Sequence, residues 1–178
     1  NLGVDCLAGE ARFVSPWQVE VNGRLLSAEK IILATGASPI IPPIPGLADI
    51  QPLTSENLWQ LQTLPERLLI IGGGAIGCEM AQAFQRLGSQ VTLVEAMPQL
   101  LSNEDKDLAA GVSNSLAAEG VQIMTGCKLL SVAYEGAERR AVIGAAGDKP
   151  VNMEFEHILL AVGRRANTSG FGLQELGV

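Results

Sequence analysis

Three glycines and two acids are the residues of this chain best placed to do chemistry. The apolar run Leu68-Leu69-Ile70-Ile71 leads straight into Gly72-Gly73-Gly74, then Gly77, then a lone acid, Glu79. In the pattern Gly72-x-Gly74-x-x-Gly77 each glycine has a separate task. Gly72 permits the tight turn out of a strand, Gly74 leaves room for a pyrophosphate beside the backbone, and Gly77 lets a helix pack close to the strand. A helix opening at Ala75 and Ile76 aims its free N–H groups and positive dipole end at the phosphates. The backbone meets their charge, so no lysine is required. The next strand, "QVTLVE", ends in Glu95, where a carboxylate accepts hydrogen bonds from ribose hydroxyls. A bare glycine pattern says little. Strand, turn, helix, strand and terminal acid in this order point to dinucleotide binding.

Other chemistries are poorly supported. Cys6, Cys78 and Cys127 are far apart, and His157 is the single histidine, so neither a structural zinc cluster nor a Cys/His catalytic pair is suggested. Each cysteine reads as a small buried residue, and together they fit a reducing cytoplasm. His157 falls in a strand and does not read as a catalytic histidine. Trp17 and Trp59 read as packing residues, and 102–107 ("SNEDKD") as a solvated helix start. A net charge of −7 and a pI of about 4.7 disfavour nucleic acid and anionic membrane as partners. No apolar run approaches the ~20 residues of a membrane span.

The elements that must position these residues can be read from the pattern. With 178 residues, 47% hydrophobic and only 4% aromatic, the chain has the aliphatic composition of an α/β protein. Residues 7–34 suggest short strands, with a hairpin turn at Asn22-Gly23 and a strand over "IILA", 31–34, covered on both faces. Five prolines in 37–52 predict a stiff extended linker without regular structure. A short helix is expected over 54–64, capped by Thr54 or Ser55 and stopped by Pro65. Then α/β alternation sets in. Its first helix carries an apolar stripe of Ile76, Met80, Ala83, Phe84 and Leu87 and ends at Gly88. A second helix spans 102–120. Strands follow from Val121, near 128–134, near 139–144 and over 155–163.

The motifs "IILATGASPIIPPIPG", "TSENL", "GGGAIGCEMAQAFQRLGSQVTLVE" and "LLAVGRRAN" occur in this order. In them the chain resembles the flavoprotein disulfide reductases, the class I pyridine nucleotide-disulfide oxidoreductases. The resemblance implies a Rossmann-like, three-layer NAD(P)-binding domain with a small β-meander, plus remnants of an FAD-binding domain. The expected division is 1–45 as the end of a first FAD-domain segment and linker, 46–164 as the NAD(P)-binding domain, and 165–178 as the return. It further implies an internal fragment. Relatives carry their own FAD glycine motif, a redox-active cysteine pair and a C-terminal His-Glu pair, and none of these stands in this sequence. No catalytic residue is therefore assigned.

By resemblance, Gly72, Gly74, Ala75, Ile76 and Gly77 belong to the NAD pyrophosphate turn and Glu95 to the ribose. Glu79 matches an acid near the nicotinamide–flavin contact, paired in relatives with a lysine absent here. Gly163 and Arg164 match a loop near the nicotinamide, and Thr35 and Gly36 a place where the chain passes the flavin nucleotide. The implied activity is the nicotinamide-binding part of an FAD-dependent, cytoplasmic oxidoreductase, homodimeric when intact. It resembles dihydrolipoamide dehydrogenase first, because Glu95 suits NAD, with mercuric reductase as the alternative. A stand-alone nucleotide-binding module without catalysis is the reading from another class.

Overall fold

The computed structural model describes residues 3–135, 138–145 and 147–178. No helix among them is long and apolar enough to cross a membrane. The chain divides into two compact units, one formed by the residues up to Ser38 and from Arg165 onward, the other by Pro39–Arg164.

The Pro39–Arg164 unit is built on a parallel sheet. Its strands are β5 (Arg67–Ile71), β6 (Gln90–Glu95), β7 (Gln122–Thr125) and β11 (His157–Leu160), in the order β11-β5-β6-β7. Helix α1 (Ala75–Leu87) connects β5 to β6, and α2 (Lys106–Ala118) connects β6 to β7. Between β7 and β11 the chain makes an antiparallel meander of β8 (Cys127–Glu135), β9 (Glu138–Ala145) and β10 (Val151–Phe155).

Side-chain alternation along the strands explains the layers. Leu68 and Ile70 of β5, Val91 and Leu93 of β6, and Leu159 of β11 join Cys78 and Ala81 of α1 and Leu116 of α2 in one core. Leu69, Ile71, Val94, Ile158 and Leu160 face the other way and pack with Val132, Ala141, Ile143 and Phe155 of the meander. A continuous apolar strand such as β5 is what a sheet covered on both faces requires.

The inner face of α1 differs from the expected stripe. Its buried residues are Gly77, Cys78 and Ala81, whereas Leu87 is 67% exposed and Ile76 40%. The helix lies so close to the sheet that only small side chains fit between them. Met80 and Phe84 pack at the margin of that core instead.

In the other unit β1 (Ala11–Ser15), β2 (Gln18–Val21) and β3 (Arg24–Ser27) form an antiparallel sheet, with Asn22 (φ 53°) and Gly23 (φ 76°) making the expected turn. Residues 31–34 form no strand, and Ile32 is 92% exposed, contrary to the double-covered strand expected there. An apolar run gives no face to bury when nothing packs on it. The proline-rich stretch is not wholly irregular. β4 (Ala37–Pro39) pairs with β12 (Arg164–Ala166), and Ala48–Ile50 makes a 3₁₀ turn. Pro39 sits at a strand end, where its missing donor costs no ladder bond. The expected 54–64 helix shrinks to a 3₁₀ turn, Leu58–Gln60. There Asn57 Oδ1 accepts from Thr54 N at 2.7 Å, so an Asn-centred loop replaces the first helical turn. The second helix starts at Lys106, later than expected. Trp17 and Trp59 are 63% and 74% exposed, which overturns their packing role, and of the cysteines only Cys78 is buried.

Candidate functional site

The glycine turn lies where β5 ends and α1 begins. Gly72 has φ 107°, a backbone conformation that favours glycine, and its N–H donates to Val94 O at 2.8 Å, tying the turn to β6. A Cβ built on Gly72 would stand 2.4 Å from Ala161 O, and one on Gly77 only 1.9 Å from Gly72 O. Gly77 is thus the point where helix and turn touch backbone to backbone. Gly74 is the opposite case. It is exposed, it caps α1 with an extended backbone (φ −75°, ψ −174°), and a Cβ there would meet nothing within 4 Å. No side chain caps the helix, and its first closing bond runs from Cys78 N to Gly74 O at 3.0 Å. The N–H groups of Ala75, Ile76 and Gly77 precede that bond and are the orphan donors of the helix N-terminus.

Glu95, at the tip of β6, reaches into the turn. Its Oε2 accepts from Gly73 N at 2.6 Å and its Oε1 from Met97 N at 2.7 Å. A carboxylate has about four acceptor positions, so two remain for an incoming hydroxyl pair. The carboxylate holds the turn's shape as well as offering acceptors, a double role the spacing alone does not reveal. A cavity of about 500 Å³ joins Gly72, Gly74, Glu95, Ala96 and Gly163, and Lys128 of β8 also lies on its wall. Lys128 escapes a reading along the chain because the meander brings it back from another element.

Behind the turn, Cys78 donates weakly to Gly73 O at 3.5 Å. Burial pushes its thiol pKa up, and the charges of Glu95 and Glu79 push the same way, which keeps the sulfur protonated and unreactive near neutral pH. Glu79 itself is exposed on α1.

The other expected positions fall into two clusters. Gly163 (φ 117°) accepts from Ile40 N at 3.0 Å. Next to it Arg164 donates to Ser55 Oγ at 2.5 Å and lies 3.5 Å from Glu56 Oε1, so the "TSENL" and "VGRRAN" motifs meet. In the other unit Thr35 Oγ1 donates to Asn167 O at 2.7 Å, Asn167 Nδ2 to Thr35 O at 3.0 Å, and Asn167 N to Gly36 O at 3.0 Å. Asn167 is the clasp of that corner, a role with no local sequence signal. Among the described residues no group of His, Cys, Asp and Glu could hold a metal ion.

Comparison with known proteins decides the family. The family profile of pyridine nucleotide-disulphide oxidoreductases matches residues 1–178. The chain belongs to this family. A mercuric reductase of Lysinibacillus sphaericus is 38% identical, aligned to 98% of this chain and 32% of its own length. A dihydrolipoyl dehydrogenase of Thermus scotoductus (strain ATCC 700910 / SA-01) is also 38% identical, over 98% of this chain and 38% of its own. Among solved structures, the HOCl-induced flavoprotein disulfide reductase RclA from Escherichia coli superposes with a TM-score of 0.84 at 30% identity, covering 98% of this chain and 39% of that one. The chain therefore spans between about a third and two fifths of the length of these three proteins.

Proposed function

We propose that Pro39–Arg164 is a Rossmann-type domain that binds NAD(H) and, in the intact protein, presents it to FAD in a cytoplasmic, homodimeric disulfide oxidoreductase of the dihydrolipoamide dehydrogenase type. One observation carries the reading. The open space before Gly74, the uncapped N-terminus of α1 and the carboxylate of Glu95 converge on a single cavity. A pyrophosphate fits there because the helix end supplies donors without side chains. Glu95 then fixes the adenosine ribose, and Gly163 and Arg164 lie towards the nicotinamide end. The nicotinamide and the flavin supply hydride chemistry when bound. The protein's share is to hold and orient. Thr35 and Gly36, clasped by Asn167, are assigned to the flavin side.

The pyridine nucleotide-disulphide oxidoreductase family and the flavoprotein disulfide reductase named above support a flavin- and nicotinamide-linked enzyme, and Glu95 inclines the choice towards NAD. Lys128 supports a second reading, in which the same cavity accepts the 2′-phosphate of NADP(H). Fluorescence titration of NADH and NADPH separates the two. NADH should bind the more tightly, by about tenfold or more, which is about 1.4 kcal/mol, and Glu95→Ala should erode that margin. Equal affinities, or an NADPH preference lost in Lys128→Ala, would transfer the assignment to NADP(H).

A further inference from the structure

The carboxyl end of the parallel sheet carries a second built loop besides the glycine turn. Leu53 runs alongside β11, its N–H donating to Ile158 O at 2.8 Å and its O accepting from Leu160 N at 2.9 Å. The chain then turns over 54–57 in a fixed shape. Asn57 Oδ1 accepts from Thr54 N at 2.7 Å, Thr54 Oγ1 from Glu56 N at 3.3 Å, and Pro52 O from Asn57 Nδ2 at 3.2 Å. Thr54 is buried, Ser55 half-buried and Glu56 exposed. The loop is thus a rigid base that presents the side chains of Ser55 and Glu56.

Both meet Arg164. Its Nη1 donates to Ser55 Oγ at 2.5 Å, and its Nη2 lies 3.5 Å from Glu56 Oε1. Arg164 follows directly on Ala161, Val162 and Gly163, which form one wall of the nucleotide cavity. Upstream, that wall is tied by Ala161 N donating to Ile71 O at 2.7 Å. Downstream it ends on Gly163, whose φ of 117° glycine reaches at little cost and leaves as easily. A wall that ends on such a residue keeps its course when the next side chain is anchored. As a prop for the fold the ion pair is weak, since its side chains are 37% and 58% exposed. Its effect is local, on the backbone just before Arg164. We propose that Ser55 and Glu56 are positioning residues for nucleotide binding: they hold Arg164 and so fix the 161–163 wall against the nicotinamide half. The proposal rests on the NAD(H) reading and gives Arg164 an indirect part, as the anchor of the wall.

The test compares NADH with ADP, which has the adenosine and pyrophosphate but no nicotinamide half. Both are titrated against the 178-residue chain, NADH by fluorescence and ADP by calorimetry. Ser55→Ala and Glu56→Gln should each weaken NADH by about three- to fivefold, the reach of an exposed charge pair, and leave ADP unchanged. In Glu56→Gln/Arg164→Gln the losses should not add, because both changes break one contact. Circular dichroism checks folding, and either single variant that folds decides. Unchanged NADH affinity in the variants overturns the proposal and leaves the NAD(H) reading standing. Equal weakening of NADH and ADP overturns it too, since a general disturbance of the fold would explain that. So do additive losses, which would separate Glu56 from Arg164. Failure of the unaltered chain to bind NADH would remove the NAD(H) reading and the proposal with it.

Discussion

Gly74 and Gly77 differ in what one added methyl group would meet. At Gly77 it would stand 1.9 Å from Gly72 O, main-chain against main-chain, with no flexible side chain to give way. At Gly74 it would stand in open space. Gly77→Ala should therefore destabilise the fold by about 1–3 kcal/mol, the range for overpacked sites. Gly74→Val should leave the urea midpoint nearly unchanged while abolishing NADH binding. If both lose stability alike, or if Gly74→Val binds NADH normally, the division of labour between the two glycines is wrong. The packing contrast is legible in the motif because it depends on backbone spacing a few residues apart. The second duty of Glu95, holding Gly73 and Met97, is not. Nor are the Asn167 clasp or the place of Lys128, since each depends on which distant strand comes alongside.

At the scale of elements, the start of β11 carries a pH-sensitive group. Burial lowers the pKa of His157 below its ordinary 6.5; Arg139 lowers it further, and Glu156 opposes them. Arg67 and Glu138 are the other charged groups on the cleft that His157 lines. The folded chain thus resists a proton that the unfolded chain accepts. The corresponding stability is present above pH 6.5 and is lost as pH falls from 6.5 through the folded value. Glu119, whose pKa is lowered by hydrogen bonding from Arg86, contributes stability that is lost only below its ordinary 4.5. Urea midpoints at about pH 7.5 and 5.5, on either side of an ordinary histidine pKa, should fall for the unaltered chain and stay level for His157→Gln. A parallel fall in both would clear His157. Long periodic elements such as β5, α1 and β6 are legible because they bury an alternating or helical set. The 54–64 segment misleads because Asn57 offers the backbone a turn instead of a helix. The α1 stripe misleads because close approach to the sheet selects small residues, which a hydrophobicity count passes over.

At the scale of the whole molecule, burial is unequal. The unit that contains β1–β3 buries only Val21 and Leu173 among its described hydrophobic residues, while every other buried hydrophobic residue among those described belongs to Pro39–Arg164. Local opening follows such differences. Amides of β1–β3 should exchange with deuterium at least about tenfold faster than those of β5 and β11, a gap of about 1.4 kcal/mol. Equal protection would show that the unit containing β1–β3 is held by more than its own core. The larger unit has one further property. Its first and last segments are joined by the bond from Ile40 N to Gly163 O at 3.0 Å. A body whose entrance and exit are neighbours behaves as a cassette. It can be spliced into a surface loop of a host protein, or lifted out and the gap closed, while the host chain bridges only the width of one hydrogen bond.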